Sequence, residues 1–307
     1  MIFDKLKLEK IEKLTTKERL KLIGTQKKKL TKKIFYRSNM MLNPLKLNHL
    51  NRIDNSPADM ITLNLEDAIA PSRKREALIN IALFLSHTKS SNSFIIVRVN
   101  PLDKGGLEEI EFLNKFSFEA VRVAKIKTQS EIKTALKILD KSKELHISME
   151  TKEAFENLSK LKIDPKFTTA NLGILDLLTS LKLPQSILQR ENPTIQYILS
   201  KFLVDSKIAD INPISFMYQD YNNTQEFEKW CKLEKEMGFS TKACMGPKQV
   251  EIANKIFAPS PKEIEKAKHI KKIFEESAKR GENGFMDEKY GFIDEPIYRD
   301  ALLVLNL

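Results

Sequence analysis

From residue 34 onward the chain alternates short β-rich runs with longer amphipathic stretches. The β-rich runs are 34–42 (IFYRSNMML), 60–65 (MITLNL), 94–99 (FIIVRV), 119–124 (EAVRVA), 145–149 (LHISM), 168–172 (TTANL), 207–212 (KIADIN) and 240–245 (STKACM). Helical stretches lie between them at 74–86, 129–139, 152–160, 190–204 and 223–237. Strands that alternate with helices build a parallel sheet, because each helix returns the chain to the same end of the sheet. Eight strands permit closure, so the expected fold is an α/β TIM (β/α)₈ barrel over 34–258. That architecture commonly takes about 250 residues. The competitor is an open doubly wound sheet. It calls for a glycine-rich turn after an early strand, and no GxGxxG occurs among the nine glycines.

Flanking segments complete the plan. Residues 1–33 read as a charged helical extension appended to the barrel, with Thr15 and Glu18 spaced as a capping box for a second helix. Helices are expected at 247–256 and 261–280. The glycine-containing run GENGFMDEKYGFIDEP follows, then a last helix at 297–305. Residues 259–307 are thus a helical C-terminal segment.

Composition narrows the function. The net charge is +11, but lysine is spread over the whole length, as on solvated helices. Nucleic-acid binding needs a clustered basic face and is not expected. The charge suits attraction of an anionic substrate such as a coenzyme A ester. No run of 18 apolar residues exists, and the N-terminus mixes acids and bases. Neither a membrane span nor a secretory signal is expected, and a cytoplasmic location follows. The two cysteines have no CxxC spacing, and the four histidines are scattered. Any bound metal should therefore be a hard cation held by oxygen, such as magnesium.

In such a barrel, catalytic residues sit where strands run out into the following loops. The second strand ends in Asn64-Leu65-Glu66-Asp67, the third in Arg98-Val99-Asn100, the fourth in Lys125 and the fifth in Glu150-Thr151. The sixth runs into Gly173 and Asp176, the seventh into Asn212-Pro213 and the eighth into Met245-Gly246-Pro247. One charged residue at a strand end is usually a cap or a salt bridge. Several converging ones are costly without a ligand. Glu150 and Asp176, on consecutive strand ends, should be neighbours. Their repulsion is relieved either by a divalent cation or by a shared proton.

These residues carry a family resemblance. Arg37-Ser38, NLEDAIAPSRK (64–74), Arg98-Val99-Asn100, Met149-Glu150-Thr151, Gly173-Ile174-Leu175-Asp176-Leu177 and GFSTKACMGPKQV (238–250) follow a known order. Phe257-Ala258-Pro259-Ser260 and Ile293-Asp294-Glu295-Pro296 complete it. From Arg37 to the C-terminus the chain resembles the citrate lyase beta-subunit-like proteins of the HpcH/HpaI aldolase superfamily. The resemblance implies Mg²⁺ held by Glu150 and Asp176, and Arg98 on the substrate's carboxylate or developing enolate. It implies Glu66 and Asp67 as supports of metal-bound water or of Arg98, with Arg37 and Lys125 as further substrate-binding cations.

The resemblance further implies a homotrimer or hexamer. In several members the C-terminal segment crosses to a neighbouring subunit, and Asp294 matches the acid or base it delivers there. A cap for the last helix is the plainer role for Asp294. The implied chemistry is carbon–carbon lysis or aldol-type formation on a 2-hydroxy or 2-oxo acid, usually as a CoA thioester. The chain departs from the family pattern at Asn64, Ala124, Leu175, Asn212 and Gly246, where Gly246 stands in place of a histidine. A metal-binding barrel without catalysis, and a basic protein that binds nucleic acid or an acidic surface, are the competing readings.

Overall fold

The computed structural model describes residues 1–31 and 36–306. Eight strands form the centre: β1 (Ser38–Leu42), β2 (Met60–Asn64), β3 (Phe94–Val99), β4 (Ala120–Val123), β5 (Glu144–Met149), β6 (Phe167–Leu172), β7 (Asn212–Ile214) and β8 (Lys242–Cys244). They pair in parallel in the order β7-β6-β5-β4-β3-β2-β1-β8. A bridge between Ser215 and Lys242 joins the two ends. The Ser215 amide donates to the Thr241 carbonyl at 3.0 Å, and the Ala243 amide donates to the Ser215 carbonyl at 3.1 Å. The sheet is therefore a closed (β/α)₈ barrel, as the alternation predicts.

Two short helices, α1 (Leu8–Glu12) and α2 (Thr16–Lys21), precede the barrel. Around it lie α3 (Leu47–Leu50), α4 (Lys74–His87), α5 (Gly106–Leu113), α6 (Gln129–Ile138), α7 (Lys152–Leu161), α8 (Ile174–Ser180), α9 (Pro193–Ile208), α10 (Thr224–Met237) and α11 (Pro247–Phe257). Side-chain caps start several of them where the sequence places Thr or Asn. Thr128 and Glu131 form a capping box for α6, Thr151 caps α7, and Asn192 with Pro193 opens α9.

Because a strand's side chains alternate, the barrel has two apolar layers. The larger lies between strands and helices and includes Ile61, Leu63, Val97, Val121, Ile147 and Phe202. The smaller fills the lower interior: Met60, Phe94, Ile96, Ala120 and Ile214, with Tyr36 against them. His146 stacks on Phe94 at a centroid distance of 5.8 Å. Above this floor the interior turns polar.

Two strand boundaries change. The seventh strand begins at Asn212, not at Lys207, because α9 runs on to Ile208 to bury Phe202, Leu203 and Ser206. Asp210, at φ +55°, then turns the chain into the strand. Asn212 consequently pairs with Thr169 at the start of β6 and β7, at the end of the barrel away from the strand tips. The predicted strand 34–42 is described from Ser38. Its residues Ile34 and Phe35, like Lys32 and Lys33, lie outside the described residues.

The N-terminal segment begins as expected, with the Thr15–Glu18 capping box formed. It then docks on the barrel. The Gly24 amide donates to Ser86 Oγ at 3.0 Å and the Lys29 amide to the Lys89 carbonyl at 3.0 Å. The Lys28 ammonium is fully buried against Glu119, whose carboxylate also accepts from the Thr31 and Ile95 amides. At the other end, α12 (Pro261–Ala278), a hairpin of β9 (Gly284–Asp287) and β10 (Gly291–Asp294), and α13 (Glu295–Asn306) share their own core of Ala267, Ile270, Phe274, Ile293 and Ala301. The hairpin occupies the glycine-containing run that the sequence leaves without a strand.

The buried Lys28–Glu119 pair yields a stability prediction. Glu119→Ala strands the Lys28 ammonium in the interior and should cost roughly 3–5 kcal/mol in urea unfolding. Adding Lys28→Met should recover most of that loss. A loss below about 1 kcal/mol for the single variant would show that the strap contributes little.

Candidate active site

The C-terminal ends of the strands form a cavity of about 120 Å³ lined by Arg98, Arg122, Ser148, Glu150, Asn171 and Asp176, among others. Each residue is there because of strand register. Asn64, Arg98, Arg122 and His146 lie side by side on β2 to β5, and Ser148 lies beside Asn171 on β5 and β6. Paired residues on parallel strands face the same side of the sheet, so all four point into the barrel. Strand tilt staggers them in depth, with Arg98 and Arg122 on the cavity and His146 below it against Phe94.

Glu66 organises the cations. It is 3 % exposed, contacts Arg98 Nη2 at 3.1 Å and takes the Lys125 ammonium at 3.0 Å. Asn64 supports it from below: its Oδ1 accepts from Arg98 Nε at 2.7 Å and from the Glu66 amide at 3.0 Å. An aspartate here could accept from Arg98 equally well. Asparagine also donates, and it donates to the Asp67 carbonyl. The departure at position 64 removes a negative charge beside Arg98 while keeping the contact.

Lys125 stands at the opposite side of Glu66 with φ +54°, a conformation that costs a non-glycine residue energy and clusters at functional sites. That turn aims the Lys125 amide at Glu150 Oε1, 3.3 Å away. Its ammonium lies 3.1 Å from Asp67 Oδ2 and 3.9 Å from Asp176 Oδ1. Burial by itself would lower its pKa, but the contacts with Glu66 and Asp67 hold Lys125 well above the usual lysine range.

Glu150 is the buried acid of the site, and its carboxyl is pushed up to about 7. Burial is the chief cause. Arg98 works against it, and the charges of Glu66 and Asp176 add to it. Asp176, in the first turn of α8, opens onto the same cavity. Gly173 lies between them. A Cβ there would stand 2.8 Å from Glu150 Cβ and 3.1 Å from Glu150 Oε2, so glycine leaves the carboxylate its room.

The residues fit a hard divalent cation in a limited way. Among the described residues no group of three His, Cys, Asp or Glu is arranged to hold a metal. Glu66 is taken up by two cations. Glu150 and Asp176 remain, and magnesium is commonly held by one or two carboxylates with water and substrate oxygens completing its shell.

Other expected residues fall elsewhere. Arg37 precedes β1, roughly 15 Å of strand away from the tips. Its guanidinium is tied to Asp59, with Nε to Oδ2 at 2.8 Å and Nη2 to Oδ1 at 3.1 Å. It braces the N-terminal end of the barrel, which removes it from substrate binding at the strand tips. Asp294 ends β10 and caps α13, its Oδ1 accepting from the Ile297 amide at 3.3 Å, and it does not line the cavity within one chain. Asn212 lines a small space with Tyr36, Met60 and Thr169 at the opposite end, so that departure does not touch the site. Gly246 does lie near the top, and a Cβ there would meet the Tyr221 ring at 2.9 Å. The tyrosine occupies the space a histidine side chain would need.

Sequence reasoning missed Arg122, Ser148, Asn171, Met217 and Gln219. Arg122 had a signal: the run VRV occurs in both β3 and β4, so Arg122 repeats the position of Arg98. Met217 and Gln219 had none, because they follow a strand whose position the sequence misplaces.

Comparison with known proteins accords with this geometry. Residues 37–247 match the model of the HpcH/HpaI aldolase/citrate lyase family. A (3S)-malyl-CoA thioesterase of Cereibacter sphaeroides is 27% identical over 248 residues, covering 80% of this chain and 86% of that protein. A citrate lyase subunit beta of Haemophilus influenzae is 27% identical over 260 residues, covering 81% and 88%. Among solved structures, a citrate lyase from Burkholderia xenovorans superposes with a TM-score of 0.75 at 16% identity, over 88% of this chain and 91% of that one. CitE from Mycobacterium tuberculosis, solved with magnesium, acetoacetate and coenzyme A, gives 0.68 at 17% identity, over 88% and 97%. With its barrel closed, its acids gathered at the strand tips and most of its length matched, this chain belongs to the HpcH/HpaI aldolase/citrate lyase family.

Proposed function

We propose that the protein is a magnesium-dependent carbon–carbon lyase or aldolase acting on a 2-hydroxy or 2-oxo acid as its CoA thioester. The observation that carries this reading is the meeting of Arg98, Glu150 and Asp176 around one small cavity. Glu150 and Asp176 would hold the ion. When bound, magnesium would polarise the acid's carboxylate and adjacent oxygen as a Lewis acid.

The chain's own residues supply the rest. Arg98, fixed by Asn64 and Glu66, presents donors to the oxygen on which enolate charge develops as the bond breaks. Its orientation is set before the substrate arrives, so little reorganisation is needed at the moment of reaction. Lys125, fixed by Glu66 and Asp67, places a second positive charge at the rim, suited to the substrate's carboxylate. Glu66 and Asp67 thus act by positioning these cations. The proton that leaves the hydroxyl and the one that quenches the enolate need an acid–base group, and Asp294 of a neighbouring copy fits that role. The trimer or hexamer this requires is supported by the exposed apolar side chains Met286, Phe292 and Leu303 on the C-terminal unit. The cavity takes only the reacting acid, so a coenzyme A arm would lie across the open rim. The name of the Cereibacter relatives makes hydrolysis of the thioester the second reading.

Magnesium in about 100-fold excess over Kd should raise the Tm by about 3–5 °C, and Glu150→Ala combined with Asp176→Ala should abolish the shift. An unmoved wild-type Tm would refute the metal assignment. With a panel of 3-hydroxyacyl-CoA esters bearing a 3-carboxylate (malyl, citramalyl and citryl), lysis releases glyoxylate, pyruvate or oxaloacetate, whereas hydrolysis releases free thiol and the intact hydroxy acid. Arg98→Met should lower kcat/KM by about 10²–10³ while leaving the magnesium shift in place. Silence from the wild type across thioesters and free acids would favour a non-catalytic metal-binding barrel.

A further inference from the structure

Arg122 is used by none of the roles above. It lies on β4 inside the barrel, 2 % exposed and in register with Arg98. Its Nε is sealed from solvent and has no hydrogen-bond partner. Among the described residues its guanidinium makes no ion pair within 4 Å. Buried charges are ordinarily paired, because desolvation is costly and nothing else offsets it. The two acids whose charges reach it, Glu150 and Glu66, stand at the rim, and Glu66 is already held by Arg98 and Lys125. Burial, with the like charge of Arg98 adding to it, pushes Arg122 down to about 9.

Two neutral polar residues line the same cavity. Ser148 and Asn171 are both buried, and Asn171 Oδ1 also lacks a partner. A serine hydroxyl can donate, and an amide side chain offers a donor or an acceptor face according to its flip. Beneath them the interior is closed by Phe94 and His146. The floor of the cavity is therefore rich in donors, while its carboxylates stand at the mouth. Such a floor suits an anion. A volume of about 120 Å³ admits a small fragment, by comparison with the roughly 150 Å³ that accommodates benzene.

We infer that Arg122, with Ser148 and Asn171, forms an anion subsite below the Glu150–Asp176 pair and selects acids that carry a second carboxylate. The acid's distal carboxylate enters the barrel and pairs with Arg122, while its reacting end stays at the rim. The inference rests on the rim being an acid-binding site, but its test reads binding and not turnover.

The test compares malonate and succinate with acetate and propionate by calorimetry on the full-length protein, in EDTA and again with magnesium. The wild type should bind a dicarboxylate about tenfold or more tightly than the matching monocarboxylate. Arg122→Met should bring the two classes within about threefold of each other and leave the magnesium-induced Tm shift unchanged. Without ligand its Tm should equal or exceed the wild-type value, because the substitution removes an unpaired buried charge. Equal binding of both classes by the wild type would overturn the subsite, and so would a preference that survives in Arg122→Met. A ligand-free Tm well below wild type would instead make Arg122 structural. Failure of the lyase reading would appear separately, as absent turnover with the dicarboxylate preference intact.

Discussion

Closure of the parallel sheet between β7 and β8 is the constraint on which the site depends. An open sheet would leave Arg98, Glu150 and Gln219 spread along a surface. Closure turns every inward side chain toward one axis and brings residues from separate strands to a common cavity. The joint is short, built around Ser215 and Lys242. Lys242 serves it twice. Its backbone bridges the strands, and its ammonium, fully buried, pairs with Glu234 of α10 and lies 3.6 Å from the Phe216 ring centroid. That pair fastens the last strand to the helix layer where the ladder is narrowest.

Within the closed barrel, charge is distributed by depth. The lowest interior layer is apolar. The next holds Arg98 and Arg122, and the rim holds Glu66, Asp67, Glu150 and Asp176. Glu66 satisfies Arg98 and Lys125 together, so both cations are ordered before any ligand enters. Glu150 carries the opposite burden: buried near two other acids, its carboxyl is pushed up to about 7, and a cation or a proton would relieve it. Arg122 has no counterpart of Glu66. The site thus carries an excess of negative charge at its mouth and an unpaired positive charge at its floor.

The departures from the family pattern do not carry equal weight. Asn64 keeps its contact with Arg98 and loses only a charge. Gly246 is packed against the Tyr221 ring, which leaves no room there for a histidine side chain. Asn212 is remote from the chemistry. Aligned letters alone made these three look alike; position in the barrel separates them.

The alternation of apolar strands with amphipathic helices determined the barrel. Local rules placed most helix starts, because caps at Thr15, Thr128, Thr151 and Asn192 act over three residues. The order of short motifs pointed to Glu66, Arg98, Lys125, Glu150 and Asp176, since strand tips in a barrel converge. Tertiary structure decided what depends on depth and register. It sent Arg37 and Asn212 to the far end, because a residue just before a strand and one just after it are a strand length apart. It drew the N-terminal segment onto the barrel through Lys28 and Glu119, residues 91 positions apart that no local pattern relates. It also set Arg122 beside Arg98 with no acid of the described residues within 4 Å, because only the folded register brings those two strands together.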